Sequence, residues 1–191
     1  MEACRLTATD IACRRGDRIL FAGLSLALES GQALQVAGAN GMGKSSLIRI
    51  LAGLLRPFSG EVERQGSIGL LDEKPALDEH QPLGEALAFW SALDTGSAPL
   101  DRLGLAPLLD VPVRYLSTGQ RKRAAIARLM GQEAQVWLLD EPLNGLDTDA
   151  VALTEKLVED HCAAGGIALI ASHQRFELKG MARLELAEFA T

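Results

Sequence analysis

The chain has 191 residues, 48% apolar and 23% charged, a composition that supports one globular core and excludes disordered and fibrous classes. Its formal net charge is −6, with 19 Lys and Arg against 25 Asp and Glu, so no nucleic-acid partner is expected from bulk charge. The longest apolar runs, such as residues 136–139 and 167–171, fall well short of the ~20 residues that cross a bilayer, and the amino-terminal MEACRLTATD lacks the apolar core of a secretory leader, which predicts a chain that stays in the cytosol.

In chain order, residues 6–12, 19–21 and 24–28 are short apolar runs separated by turns at Arg14-Arg15-Gly16-Asp17 and Ser30-Gly31, the pattern of antiparallel strands. Residues 33–37 read as a short buried strand running into Gly38. From Lys44 to Leu55, Leu47, Ile48, Leu51, Leu54 and Leu55 recur at helical spacing, and Arg56-Pro57 ends the predicted helix. Residues 61–63 and 67–71 read as two more strands. Residues 72–113 are helical but broken, with Pro75, Pro82, Pro99, Pro107 and Pro112 separating short segments at 83–93 and 100–103. A helix at 119–130, a strand at 136–139, a helix at 148–163 and a strand at 167–171 follow. Helices alternating with apolar runs predict an α/β fold with a mostly parallel sheet covered on both faces. Cys4, Cys13 and Cys162 are odd in number and widely spaced, which fits reduced thiols rather than disulfides or a metal site.

Gly38-Ala39-Asn40-Gly41-Met42-Gly43-Lys44-Ser45 matches the P-loop pattern G-x-x-x-x-G-K-[ST] between a predicted strand and a predicted helix. The residue types follow from the chemistry. Glycines let successive amides curl round a β-phosphate, the helix N-terminus adds positive potential, Lys44 reaches the β- and γ-phosphates, and Ser45 offers a hydroxyl to Mg²⁺. Ser46 completes the candidate ATP-binding run. Val136-Trp137-Leu138-Leu139-Asp140-Glu141-Pro142 is an apolar strand ending in two carboxylates at the sheet edge where ligands of parallel α/β folds sit. Asp140 is expected to hold Mg²⁺, and Glu141 to orient or deprotonate the attacking water.

Leu116-Ser117-Thr118-Gly119-Gln120 alone reads as a helix N-cap. Placed between the P-loop and the apolar-Asp-Glu strand, it resembles the signature motif of ATP-binding-cassette (ABC) ATPases. The resemblance implies a P-loop nucleotide-binding domain of residues 1–191, with an N-terminal antiparallel β subdomain and a shortened helical insert at about 74–130. It implies that Asn144-Gly145-Leu146-Asp147 is the D-loop, with Asp147 near nucleotide, and that His173 is the switch histidine contacting the γ-phosphate. Two cassettes in such a family face head to tail, so ATP at Lys44 of one is closed by Ser117, Gly119 and Gln120 of the other. A homodimer in the ATP state is therefore implied.

The chain departs from the family pattern in four places. Lys74 stands where the Q-loop has glutamine; its charge either approaches the γ-phosphate or is a solvated turn lysine. Arg15 stands where an aromatic residue stacks on adenine, and its guanidinium can also stack. Thr118 and Asn144-Gly145 replace glycine and Ser-Ala. Arg121-Lys122-Arg123 reads as the solvated start of the signature helix, and His80 and His161 as residues without a site.

Small size and the phrases Arg14-Arg15-Gly16-Asp17-Arg18-Ile19-Leu20-Phe21, Asp110-Val111-Pro112-Val113, Gln120-Arg121-Lys122-Arg123 and Gly165-Gly166-Ile167 before Ser172-His173-Gln174 are similar to one subfamily, the ATP-binding subunits of bacterial cytochrome c maturation. That likeness implies a peripheral subunit on the cytoplasmic face of the inner membrane. It would pair with separate integral membrane subunits and energise a haem-handling step. The alternatives are the ATPase of another small transporter, for lipoprotein release or metal uptake, and a non-transport ATP-dependent interaction module.

Overall fold

The computed structural model describes residues 3–72, 75–94 and 96–190. It contains two sheets. β1 (Arg5–Arg15), β2 (Arg18–Glu29) and β4 (Ser59–Gln65) form an antiparallel sheet in the order β2-β1-β4. The other sheet, β5-β6-β7-β3-β8, is parallel throughout and is built from β3 (Ala33–Ala37), β5 (Ile68–Leu71), β6 (Val136–Asp140), β7 (Ile167–Ser172) and β8 (Ala182–Glu185).

Side-chain alternation on the central strands divides the interior into two cores. Val136 and Leu138 of β6, with Ile167, Leu169 and Ala171 of β7, pack beneath the antiparallel sheet and α1 (Lys44–Leu51). Trp137 and Leu139, with Ala168 and Ile170, face the opposite core, built with α2 (Leu83–Ser91), α3 (Thr118–Gly131) and α4 (Thr148–Ala163). α1 contributes Leu47, Ile48, Ile50 and Leu51, each 1% exposed or less, and burial of such a side chain is worth about 1.5–3 kcal/mol. With both faces covered, a central strand must be apolar throughout, which is why 136–139 and 167–171 read as continuous runs.

Four sequence expectations need correction. The runs at 19–21 and 24–28 belong to one strand, β2. Arg14 and Arg15 extend β1 rather than forming the turn, because the long pairing with β2 continues to Arg15↔Arg18. α1 stops at Leu51, not Leu55: the amides of Gly53 and Leu54 return to the carbonyls of Ile50 and Arg49, closing the helix and leaving Leu54 67% exposed. The segment at 83–93 is helical only to Ser91. β8, a four-residue edge strand held by its ladder to β3, was not among the expected strands. No helix among the described residues is long and apolar enough to cross a membrane.

Candidate functional site

The C-terminal ends of β3, β6 and β7 converge, and the predicted chemistry gathers there. β3 delivers Gly38, after which the loop turns through Gly41 and Gly43 at φ of 81° and 104° and enters α1 at Lys44. Those left-handed conformations carry little cost only for glycine. A side chain at Gly43 would meet Leu20 and Phe21 of β2 at 3.2–3.3 Å, so the hairpin packs directly on the loop. Met42 folds back, its sulfur 3.2 Å from the Ala39 amide. Ser45 and Asn40 are exposed, while Ser46 is buried and its hydroxyl meets the Cys13 thiol. Burial pushes that thiol above its ordinary pKa, with the Ser46 hydrogen bond opposing the shift.

Lys44 is 5% exposed; its Nζ donates to the carbonyls of Gly38 (2.8 Å) and Ala39 (3.3 Å) and pairs with Glu141 Oε1 at 3.1 Å. Glu141 is the first residue after β6 and is itself buried. The Ser172 hydroxyl donates to its Oε2 at 3.1 Å, the His173 Nδ1 lies 2.9 Å from the same oxygen, and the His173 amide lies within 3.4 Å of both carboxylate oxygens. Burial alone would raise the Glu141 pKa. Hydrogen bonds from His173 and Lys44, with their charges, outweigh it and hold the carboxyl below its ordinary value, so the group is ionised at neutral pH.

Glu141 adopts φ +46°, a left-handed conformation that costs a residue with a side chain about 1–2 kcal/mol. Hydrogen bonds on both sides offset that strain. The Glu141 amide donates to Ala171 O at 2.8 Å, and its carbonyl accepts from the Asn144 amide at 3.3 Å and from Lys122 Nζ at 3.1 Å. Asp140, 4% exposed, ends β6 opposite Ala171. The Ser45 hydroxyl and Asp140 carboxylate are hard oxygen donors, a donor set that fits Mg²⁺.

The second group of predicted residues lies at the start of α3. Ser117 and Gln120 form a reciprocal capping box: the Ser117 hydroxyl accepts from the Gln120 amide at 3.2 Å, and Gln120 Oε1 accepts from the Ser117 amide at 2.8 Å. Gly119 is required by a close approach, since a Cβ there would stand 2.8 Å from the Gly145 carbonyl. Asp147 caps α4 through the Ala150 amide at 2.9 Å, and Asn144 Oδ1 accepts from Gln174 Nε2 at 3.2 Å. The predicted signature and D-loop therefore touch one another, while the side chains of Gln120 and Asp147 are already committed to helix caps. Arg15 stands exposed at the end of β1, on the hairpin that packs against the P-loop. Lys74 lies outside the described residues.

The reading of Arg121-Lys122-Arg123 as solvated is overturned for two of the three. Lys122 is buried with its ammonium on the Glu141 carbonyl, and Arg123 Nη1 donates to Leu103 O at 2.9 Å. Sequence analysis also missed Ser172 and Gln35. Gln35, 2% exposed on β3, donates to Gln174 O at 2.6 Å and accepts from the Phe176 amide, anchoring the chain just beyond His173. A glutamine inside an otherwise apolar strand was the available signal for it, since a buried amide requires partners. His161 is a satisfied core residue, stacked on Trp137 with ring centroids 3.9 Å apart. Its Nε2 lies 3.2 Å from Ile167 O.

The family model described as ABC transporter matches residues 21–144, which include the P-loop, the start of α3 and Glu141. The chain is 59% identical over 99% of both chains to the cytochrome c biogenesis ATP-binding export protein CcmA of Novosphingobium aromaticivorans. It is 48% identical to the protein of the same name from Zymomonas mobilis, over 97% of this chain and 86% of that one. Among solved structures, cbiO1 from Clostridium perfringens, part of the ABC transporter complex cbiONQ, superposes with a TM-score of 0.70 at 27% identity, covering 88% of this chain and 78% of that one.

Proposed function

The chain belongs to the ABC transporter family and, within it, to the cytochrome c biogenesis ATP-binding export proteins, and from that premise we propose how its residues act. It is the ATP-hydrolysing subunit of a cytochrome c biogenesis export system. The step it energises is the handling of haem for c-type cytochromes.

ATP binds at the P-loop. The backbone from Gly38 to Gly43 cradles the phosphates, Ser46 borders them at the start of α1, and Arg15 stacks on the adenine. Lys44, which in the free protein faces its own loop carbonyls and Glu141, turns its ammonium to the β- and γ-phosphates. Ser45 and Asp140 hold Mg²⁺, which when bound neutralises charge on the phosphate oxygens. Glu141, kept ionised by its neighbours, orients the attacking water and accepts its proton. His173, whose Nδ1 lies 2.9 Å from Glu141 Oε2, contacts the γ-phosphate.

The signature completes the site in trans. Ser117, Gly119 and Gln120 of one cassette, with its Asp147 nearby, close over ATP held by Lys44 of a second copy. There the amides and positive end of α3 stabilise charge on the γ-phosphoryl group. Because Gln120 and Asp147 hold caps, they act by fixing backbone rather than by direct side-chain contact. The dimer sits on the cytoplasmic face of the inner membrane, against separate integral membrane subunits.

The observation that carries this reading is the meeting of Lys44, Glu141, Ser172 and His173 at the mouth of one phosphate-binding loop. The test is a pull-down with Glu141→Gln protein and Mg-ATP from detergent-solubilised membranes of the source organism. Integral membrane subunits of cytochrome c biogenesis are the expected companions. Recovery of an unrelated permease, or of soluble proteins alone, overturns the assignment.

A further inference from the structure

Lys122 lies one turn into α3, beyond the signature, and is 9% exposed. An exposed helix normally lets a lysine carry its ammonium to water along a flexible stem. Here the stem runs inward and Nζ donates to the backbone carbonyl of Glu141 at 3.1 Å. The bond crosses from the signature helix to the turn after β6. It flanks a cavity of about 630 Å³ whose walls include Asp72, Leu77, Thr118, Lys122, Glu141 and Asn144.

The carbonyl that receives this bond belongs to a residue with a side chain that is nonetheless held at left-handed φ. Pro142 follows it, so the peptide beyond Glu141 has no amide hydrogen with which to anchor itself. The Glu141 amide is fixed by β7 through Ala171, which leaves rotation about the Glu141 φ as the backbone freedom that would carry side chain and carbonyl together and swing the carboxylate away from Lys44 and His173. Two donors act against that rotation at the carbonyl, Lys122 and the more distant Asn144 amide at 3.3 Å.

We propose that Lys122 is a positioning residue for ATP hydrolysis, holding the Glu141 peptide so that the carboxylate stays aimed at the γ-phosphate. The proposal rests on the reading of Glu141 given above. Lys122 acts through the Glu141 backbone, by its bond to that carbonyl. Because it rides on α3, a shift of the signature helix against β6 reaches Glu141 without passing through the nucleotide.

The experiment measures steady-state hydrolysis and ATP binding of the full chain for the wild type, Glu141→Gln, Lys122→Met, Lys122→Arg, and Lys122→Met combined with Glu141→Gln. Lys122→Met keeps length and removes the donor. It should lower kcat by about tenfold to a hundredfold, the effect of small misplacement of a reacting group, while KM for ATP changes less than about threefold. Lys122→Arg, which retains donors, should recover a large part of the loss; packing alone would not give that rescue. The double variant should bind ATP as Glu141→Gln does and turn over no more slowly. Unchanged kcat in Lys122→Met, a rise in KM carrying the whole effect, no rescue by arginine, or a further loss in the double variant would each overturn the proposal. If Lys122→Met does not fold, Lys122→Leu, which also removes the donor, takes its place with the same criteria. Failure of the parent reading appears elsewhere, as a Glu141→Gln protein that turns over like the wild type.

Discussion

The Glu141 cluster and the signature turn are both rich in hydrogen bonds, but they direct them differently. Around Glu141 the bonds come from distant parts of the chain: Lys44 from α1, Lys122 from α3, Ser172 and His173 from the end of β7. At Ser117–Gln120 they close within four residues, and Ser117 and Thr118 are left exposed. The first is a site assembled by the fold, with its carboxylate oriented before ATP arrives. The second is a rigid helix end with its local requirements met, free to present backbone amides to another molecule. Preorganisation thus spans the fold on one side and is only local on the other.

The sharpest break in this comparison is Glu141→Gln. It should cut turnover by about a hundredfold to ten-thousandfold, the range of a lost general base, while ATP binding measured by fluorescent nucleotide titration is retained. Lys44→Ala should instead weaken ATP binding itself, by about 1.5–3 kcal/mol for a lost hydrogen bond to a charged group, in the same titration. Next comes Ser117→Asp. Aspartate caps a helix as well as serine does, so the thermal midpoint should hold, yet the added charge would face the partner's γ-phosphate. ATP-dependent dimerisation, read by light scattering in the Glu141→Gln background, should be lost; a dimer that forms normally would remove Ser117 from the shared site.

Gly145→Ala probes the seam between signature and D-loop. Its φ is +78° and the added methyl would stand 2.8 Å from Thr118 Cγ2, so a loss of about 1–2 kcal/mol in chemical denaturation is expected. The smallest effect lies at the far end of the sheet, at His161. Burial there lowers the imidazole pKa below its ordinary 6.5, so below that pH the unfolded chain binds the proton more readily than the folded one. Stability should therefore fall as pH drops through 6.5 toward the folded pKa, by at most about 1.4 kcal/mol per pH unit for this group. His161→Gln should flatten that part of the thermal-midpoint profile.

The P-loop and the strand ending in Asp140-Glu141 were legible because their chemistry depends on short, ordered spacings that survive in the linear chain. α4 was read to its observed limits, Thr148–Ala163, since Asp147 caps its start and Gly165 follows its end. Less legible were features that depend on long-range pairing. β8 is only four residues long, too short for the alternation of Ala182 and Leu184 with Arg183 and Glu185 to stand out, and it exists because β3 offers it an edge. α1 was overrun because Leu54 and Leu55 continue a helical pattern that the turn at Gly53 terminates.

Lys122 is the clearest case of the divide. Within Arg121-Lys122-Arg123 it is one of three like charges, and sequence alone determined that the helix begins there and that a phosphate-binding loop and a pair of carboxylates stand on either side of it. Only the tertiary structure decided which of the three turns inward, and that the Glu141 carbonyl meets it. Spacing motifs report on groups linked by a few bonds, whose geometry local backbone preferences set. A lysine 19 residues from its acceptor is positioned by the packing of α3 against α2 and β5, which no local preference encodes.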